Sequence, residues 1–338
     1  MTSTPIPHAA SFSAEFLDYG TVANADPLDL SRIRAVLPKL RLWDNTSRAE
    51  LHGRIADADV LLINAVPMDA AAFAAAPKLK AIALTSTGTN HIDLGAAQRH
   101  GVAVINVVDY CTPSVAQHVF ATLLALNHHL VEYDRDLKAG LWQHAPASIR
   151  DRSIRELTGL VLGIVGYGSL GQGVARLATA FGMEVRVANR PGGAAVAGRY
   201  DLDELLPVVD VLSLHCPLTP ETRHLIGARE LSLMKPDAIL INTARGGLVD
   251  AAALASALRE GRLGGAGIDV LEEEPPVSGN PLLSPDLVNV IVTPHTAWGA
   301  RESRQRGLDQ LARHLAAWAA GERSGRVVRG QTGRLFGC

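Results

Sequence analysis

The chain has 338 residues, 47% hydrophobic and 20% charged, with 32 Lys and Arg against 34 Asp and Glu for a net charge of −2. That length predicts two domains, each able to bury its own core, and a balanced charge with a pI near 6.6 argues against nucleic-acid or membrane-surface partners. Cys111, Cys216 and Cys338 are odd in number, far apart and without a CxxC pair, which fits reduced thiols in a cytoplasm and gives no reason to expect a metal.

The opening MTSTPIPHAASFSAEF lacks the basic start and apolar stretch of a secretory signal, and 1–13 and 331–338 read as loosely held ends. Predicted strands at 15–18, 40–43, 60–64, 81–84 and 103–107 alternate with helices near 28–36, 48–56, 69–75 and 94–100. Such alternation implies a parallel sheet covered on both faces. One long helix is expected over 114–139, stopped by Gly140; its apolar part, 119–126, is too short to span a bilayer. From residue 161 the pattern repeats, with strands at 161–165, 184–188, 211–214, 238–242, 266–270 and 288–292. Asp250 is a suitable N-cap for a helix that Gly261 closes, and 301–320 reads as an amphipathic helix returning to the first domain. The expected architecture is α/β: two Rossmann-like doubly wound parallel-sheet domains with the active site in the cleft between them. Residues 1–111 with 299–338 form a flavodoxin-like substrate domain, and 112–298 the dinucleotide domain.

The strand VLGIV runs directly into Gly166-Tyr167-Gly168-Ser169-Leu170-Gly171 and then into a helical pattern. Gly166 allows the tight turn, Gly168 lets the backbone approach a pyrophosphate, and Gly171 lets helix and strand pack closely. The diphosphate would sit on free amides at the helix N-terminus.

Three further apolar runs end on reactive side chains: AILINTAR on Arg245, GAGIDVLEEE on Asp269 and Glu274, and VNVIVTPH on His295. Side chains just past the carboxyl ends of neighbouring parallel strands converge, so a cation, two carboxylates and an imidazole should share one pocket. Arg245 offers a forked, permanently charged donor for carboxylate and carbonyl oxygens. His295 is the natural proton donor of the set, and Glu274 could orient it. Plainer readings stand beside these: a surface ion pair for Arg245, a solvated face for Glu274, a hydrogen-bonded loop residue for His295 and a structural strand-end acid for Asp269. Glu272 and Glu273 read as solvated. Ser86, Thr87 and Gly88 form a small-residue turn whose amides could cradle an anion or simply make a tight turn. Tyr110 and Trp298 are candidates to close the pocket, or for packing.

These motifs together resemble the D-isomer-specific 2-hydroxyacid dehydrogenases, over about 84–299: STGTNHID (86–93), YCTPSVAQHV (110–119), GYGSLG (166–171), LHCPLTPETRHLIG (214–227), INTARGGLVD (241–250), GIDVLEEEP (267–275) and TPHTAWG (293–299). Within that family TGTNHID, YCTPSVAQH and HTAWG look most like the glycerate dehydrogenases, also called hydroxypyruvate or glyoxylate reductases. The resemblance implies reduction of a short 2-oxo acid to the D-2-hydroxy acid, with Arg245, Glu274 and His295 catalytic and Ser86, Thr87, Gly88, Arg245, His295 and Trp298 binding substrate. It implies dinucleotide contacts at Gly166, Tyr167, Gly168, Ser169, Leu170, Asn189, Arg190, His215, Cys216, Pro217, Thr222, Thr243, Ala244, Arg245, Asp269, His295 and Ala297. NAD-selective relatives end the second strand on an acid that binds the ribose. Here that place reads Ala188-Asn189-Arg190, which favours NADP(H) with NAD(H) possible. A homodimer is implied through the region of 114–139 and Trp142.

Other readings remain open: a broader 2-oxo acid reductase, a 3-phosphoglycerate dehydrogenase, disfavoured because the chain ends without an added regulatory domain, or a nucleotide-sensing interaction protein. Formate dehydrogenases are disfavoured by Glu274.

Overall fold

The structure, a computed structural model, describes residues 11–24, 26–144, 152–322 and 325–328. The chain divides into two compact units, Met1–Cys111 with Gly299–Cys338 and Thr112–Trp298, each carrying a six-stranded sheet.

The first unit begins β1 (Ala14–Phe16), α1 (Tyr19–Ala23), α2 (Ser31–Val36), β2 (Leu40–Leu42), α3 (Arg48–Ile55), β3 (Val60–Ile63), α4 (Ala70–Ala74), β4 (Ala81–Leu84), α5 (Leu94–His100) and β5 (Ala103–Ile105). These strands pair in parallel in the order β2-β1-β3-β4-β5. VLLI of β3 and AIAL of β4 are buried throughout, which explains their unbroken apolar runs: helices cover both sheet faces, so no position alternates to water. Helix starts follow capping chemistry. Ser47 and Glu50 close a capping box on α3, and the Asp69 and Asp93 side chains accept the amides of Ala72 and Ala96. Asp18, buried after β1, accepts the amides of Asn64, Ala65 and Val66, and so fixes the turn after β3. Burial pushes its carboxyl up, against the lowering effect of those amides.

The second unit contains α6 (Thr112–Asn127), α7 (Leu130–Lys138), α8 (Leu141–His144), β6 (Val161–Val165), α9 (Ser169–Ala180), β7 (Glu184–Val187), α10 (Leu202–Leu205), β8 (Val211–Leu214), α11 (Ala228–Leu233), β9 (Ile239–Asn242), α12 (Ala251–Arg259), β10 (Gly265–Ile268) and β11 (Val290–Val292). Its order is β7-β6-β8-β9-β10-β11, all parallel. Asp250 caps α12 through the amides of Ala252 and Ala253, and Gly261 follows the helix at φ 65°.

The single helix expected over 114–139 is instead α6 and α7. His129 stands between them at φ 51°, its Nε2 3.1 Å from the Ser153 carbonyl, while Asn127 Nδ2 donates to the Arg155 carbonyl. Tertiary partners for two polar side chains break the helix where no glycine or proline marks a stop. The chain then returns to the first unit as α13 (Arg301–Ala319) and β12 (Arg326–Val328), the latter an unforeseen antiparallel neighbour of β5. Buried Arg304 fastens α13 by donating to the carbonyls of Gly299, Val22 and Ala23 and by pairing with Asp26. Phe12 departs from the expected loose end: it is buried, 5.8 Å from Trp318 between ring centroids. Residues 1–10 and 331–338, including Cys338, lie outside the described residues. No described helix is long and apolar enough to cross a membrane.

Candidate active site

Parallel pairing puts Leu214, Asn242, Ile268 and Val292 in register at the carboxyl ends of β8, β9, β10 and β11, so the segments that follow them emerge on one edge of the sheet. The glycine loop follows β6, beside β8, where the direction of strand addition reverses; open α/β sheets bind ligands at this switch point. Gly166 has φ 96°, and a Cβ there would lie 2.5 Å from the backbone of His215 and Cys216. The fold itself therefore demands glycine at 166. Gly168 differs: its conformation is extended and a Cβ would meet nothing within 4 Å. Open space above an N-cap that carries no side-chain hydrogen bond is what a pyrophosphate approaching the α9 amides would require. Buried Thr243 Oγ1 and His215 Nδ1 have no hydrogen-bond partner among the described residues, and the two residues directly follow β9 and β8 at this edge. Burial pushes the His215 imidazole down to about 4, so the ring is neutral at ordinary pH. The open glycine, the uncapped amides and the two unpaired polar atoms fit a dinucleotide.

His295 and Glu274 are joined directly, Nδ1 to Oε2 at 2.7 Å, with side chains 39% and 36% exposed. Glu274 Oε1 accepts the Leu271 amide at 2.8 Å. Partial burial raises the Glu274 pKa, but the bond and charge of His295, the Leu271 amide and the positive Arg245 outweigh it and hold the carboxyl below its ordinary value. Arg245 follows β9, half-buried, its Nη1 donating to the Ala244 carbonyl at 2.6 Å. His295 occupies the left-handed region at φ 54°, an uncommon conformation for a residue other than glycine. Its amide donates to the Asp269 carbonyl at 2.7 Å, and Trp298 Nε1 donates to its carbonyl at 2.8 Å.

Other predicted residues have work inside the protein. The Asp269 carboxylate, 2% exposed, accepts Thr293 Oγ1 at 2.6 Å and the amides of Thr296 at 2.8 Å and Ala297 at 2.9 Å, which organises the loop bearing His295. Ala297 spends its carbonyl on Ser114 Oγ. Thr222 Oγ1 donates to the Pro217 carbonyl and accepts the Thr219 amide, bracing the turn after Cys216. Tyr110 packs against Gly307 of α13, and its carbonyl accepts Arg306 Nε at 3.0 Å. Glu272 is not simply solvated: it pairs with Arg223 and lies 3.5 Å from His224 Nε2. Glu273 accepts the amide and hydroxyl of Ser278. In the first unit Ser86 Oγ donates to the Gly88 carbonyl and Thr87 Oγ1 to that of Val107, and among the described residues the three amides of this turn enter no backbone hydrogen bond.

At the end of β7 a cavity of about 340 Å³ is lined by Asn189, Arg190, Asp201 and Glu221 among others. Asn189 is committed to Asp201, 2.8 Å from its Nδ2, and to the Val196 amide. The carboxylates of Asp201 and Glu221 were not legible beside Arg190, because loop closure rather than spacing brings them there. His118 was missed similarly; from α6 its Nε2 lies 3.1 Å from Thr293 Oγ1.

A family model described as the D-isomer specific 2-hydroxyacid dehydrogenase NAD binding domain matches residues 120–297. A glycerate dehydrogenase of Methylorubrum extorquens is 43% identical over 274 residues, covering 81% of this chain and 86% of that one. A hydroxypyruvate reductase of Blautia hydrogenotrophica is 35% identical over 89% of this chain and 95% of its own. Among solved structures, an acyclic imino acid reductase in complex with NADPH and D-Arg superposes with a TM-score of 0.80 at 28% identity, over 93% of this chain and 99% of that one. The chain belongs to the D-isomer specific 2-hydroxyacid dehydrogenase family, nicotinamide-dependent oxidoreductases built on two parallel-sheet α/β domains.

Proposed function

We propose that the protein reduces a short 2-oxo acid, hydroxypyruvate or glyoxylate, to D-glycerate or glycolate. The observation that carries this reading is the 2.7 Å bond between His295 Nδ1 and Glu274 Oε2 at adjoining strand ends. With Nδ1 held by the carboxylate, His295 presents Nε2 to the substrate carbonyl oxygen and delivers a proton there; in the opposite direction the neutral ring accepts it. The amides after Gly168 would hold the diphosphate of a reduced nicotinamide dinucleotide, which would supply the hydride for C2. Arg245, anchored through one N–H to Ala244, offers its remaining donors to the substrate carboxylate and carbonyl. The amides of Ser86, Thr87 and Gly88, uncommitted among the described residues, hold the carboxylate on this reading, and the Trp298 ring, its N–H given to His295, contributes an apolar wall. The glycerate dehydrogenase and hydroxypyruvate reductase relatives support this substrate class.

For the cofactor we propose a preference for NADP(H), through pairing of Arg190 with the 2′-phosphate. Asp201 and Glu221 in the same cavity favour a second reading, NAD(H), since carboxylates repel that phosphate and accept ribose hydroxyls. Initial rates with NADPH and NADH against hydroxypyruvate, glyoxylate, pyruvate and 3-phosphohydroxypyruvate decide. The proposal predicts the highest kcat/KM for one of the first two acids with NADPH. Turnover of none of them would point to a nucleotide-sensing protein. We further propose a cytoplasmic homodimer covering the exposed Leu130, Val131 and Trp142 of α7 and α8, to be read by sedimentation.

A further inference from the structure

The loop 293–298 is fastened to α6 at two points one helical turn apart. Ser114 Oγ donates to the Ala297 carbonyl at 2.6 Å, and His118 Nε2 lies 3.1 Å from Thr293 Oγ1 and 3.8 Å from Asp269 Oδ1. Proton counting orders the second contact. The single hydroxyl proton of Thr293 goes to Asp269 Oδ1 at 2.6 Å, so Thr293 Oγ1 can only accept from the imidazole, and His118 Nε2 carries a hydrogen. Asp269 passes the restraint on by accepting the amides of Thr296 and Ala297, and its carbonyl accepts the His295 amide. The support itself is tightly seated: α6 lies so close to β10 that a Cβ on Gly267 would come within 2.4 Å of Thr122 Cγ2. A backbone at φ 54° needs such a surround, because that conformation is costly for a β-carbon residue left to relax.

We propose that His118, together with Ser114, is a positioning residue for His295: it locks the Thr293–Asp269 pair against α6, and so fixes the loop conformation that aims the His295 ring. The imidazole of His118 touches none of the reacting atoms in this account. The inference rests on the proton-donor role proposed for His295, so its test has an arm that does not depend on turnover.

The experiment compares wild-type enzyme, His118→Phe and His118→Gln by hydrogen–deuterium exchange over 293–298, by Tm, and by kcat and KM for NADPH and hydroxypyruvate. Phenylalanine fills the volume without a donor; glutamine restores one. In His118→Phe the segment should exchange faster, kcat should fall about 10- to 100-fold as a misaimed donor does, and KM for NADPH should stay within about twofold. His118→Gln should recover most of both effects. Unchanged exchange in His118→Phe overturns the proposal, as does faster exchange with wild-type kcat. A His295→Gln enzyme of undiminished kcat would instead fail the proton-donor reading, leaving the exchange arm to judge the role of His118 in holding the loop.

Discussion

The two sheets follow the same path, β2-β1-β3-β4-β5 in one unit and β7-β6-β8-β9-β10 in the other, yet they use charge in opposite ways. In the first, the acids at the start of the chain are spent on local structure. Buried Glu15 is held by Arg41 and by Trp43 Nε1, and Asp18 by three amides. In the second, strand ends leave polar groups unspent among the described residues: Arg245 has no hydrogen-bond acceptor there beyond Ala244, and Thr243 Oγ1 and His215 Nδ1 have no partner. Strand order thus supplies a scaffold, and on the proposed reading the residues just past the strands supply the chemistry.

Substitutions can sharpen that contrast. The largest effect on folding is expected at Gly166→Ala, where φ 96° and a Cβ 2.5 Å from two backbones should cost roughly 2–5 kcal/mol. Gly168→Ala, with open space around it, should leave stability within roughly 1 kcal/mol while raising KM for the cofactor; equal Tm losses in the two variants would break the assignment of Gly168 to ligand approach. Next, Asp18→Ala should destabilise by about 1–3 kcal/mol, since three amides lose their acceptor, with kcat per folded molecule unchanged. A fall in kcat without a fall in Tm would show that the first unit's acids are not purely structural. The smallest effect concerns His215. Burial holds its folded pKa at about 4, below the ordinary 6.5, so the unfolded chain binds the proton more readily between those values, and stability should rise with pH across that window. His215→Asn should flatten that slope in a pH series of Tm; an unaltered slope would contradict a buried neutral ring.

How far the sequence revealed this follows from the range of each signal. Runs such as VLLI and AIAL declare buried parallel strands because burial on both faces leaves them no polar positions. Gly166, Gly168, Arg245 and His295 stood out as candidates because each lies just beyond an apolar run that ends a strand, and at 166 the fold itself requires glycine. The break at His129 was not, since a histidine takes the left-handed position that glycine would have advertised. Nor were His118 behind Thr293, or Asp201 and Glu221 beside Arg190, because their meaning depends on which distant segments the fold brings alongside. Short β12 carries too few residues for any period to show.

Single-turnover reduction of hydroxypyruvate by His295→Gln, with cofactor prebound and saturating, addresses the proton-transfer role most directly. The account predicts a rate about 10²- to 10⁴-fold below wild type, with cofactor affinity retained. A rate equal to that of wild type would contradict it.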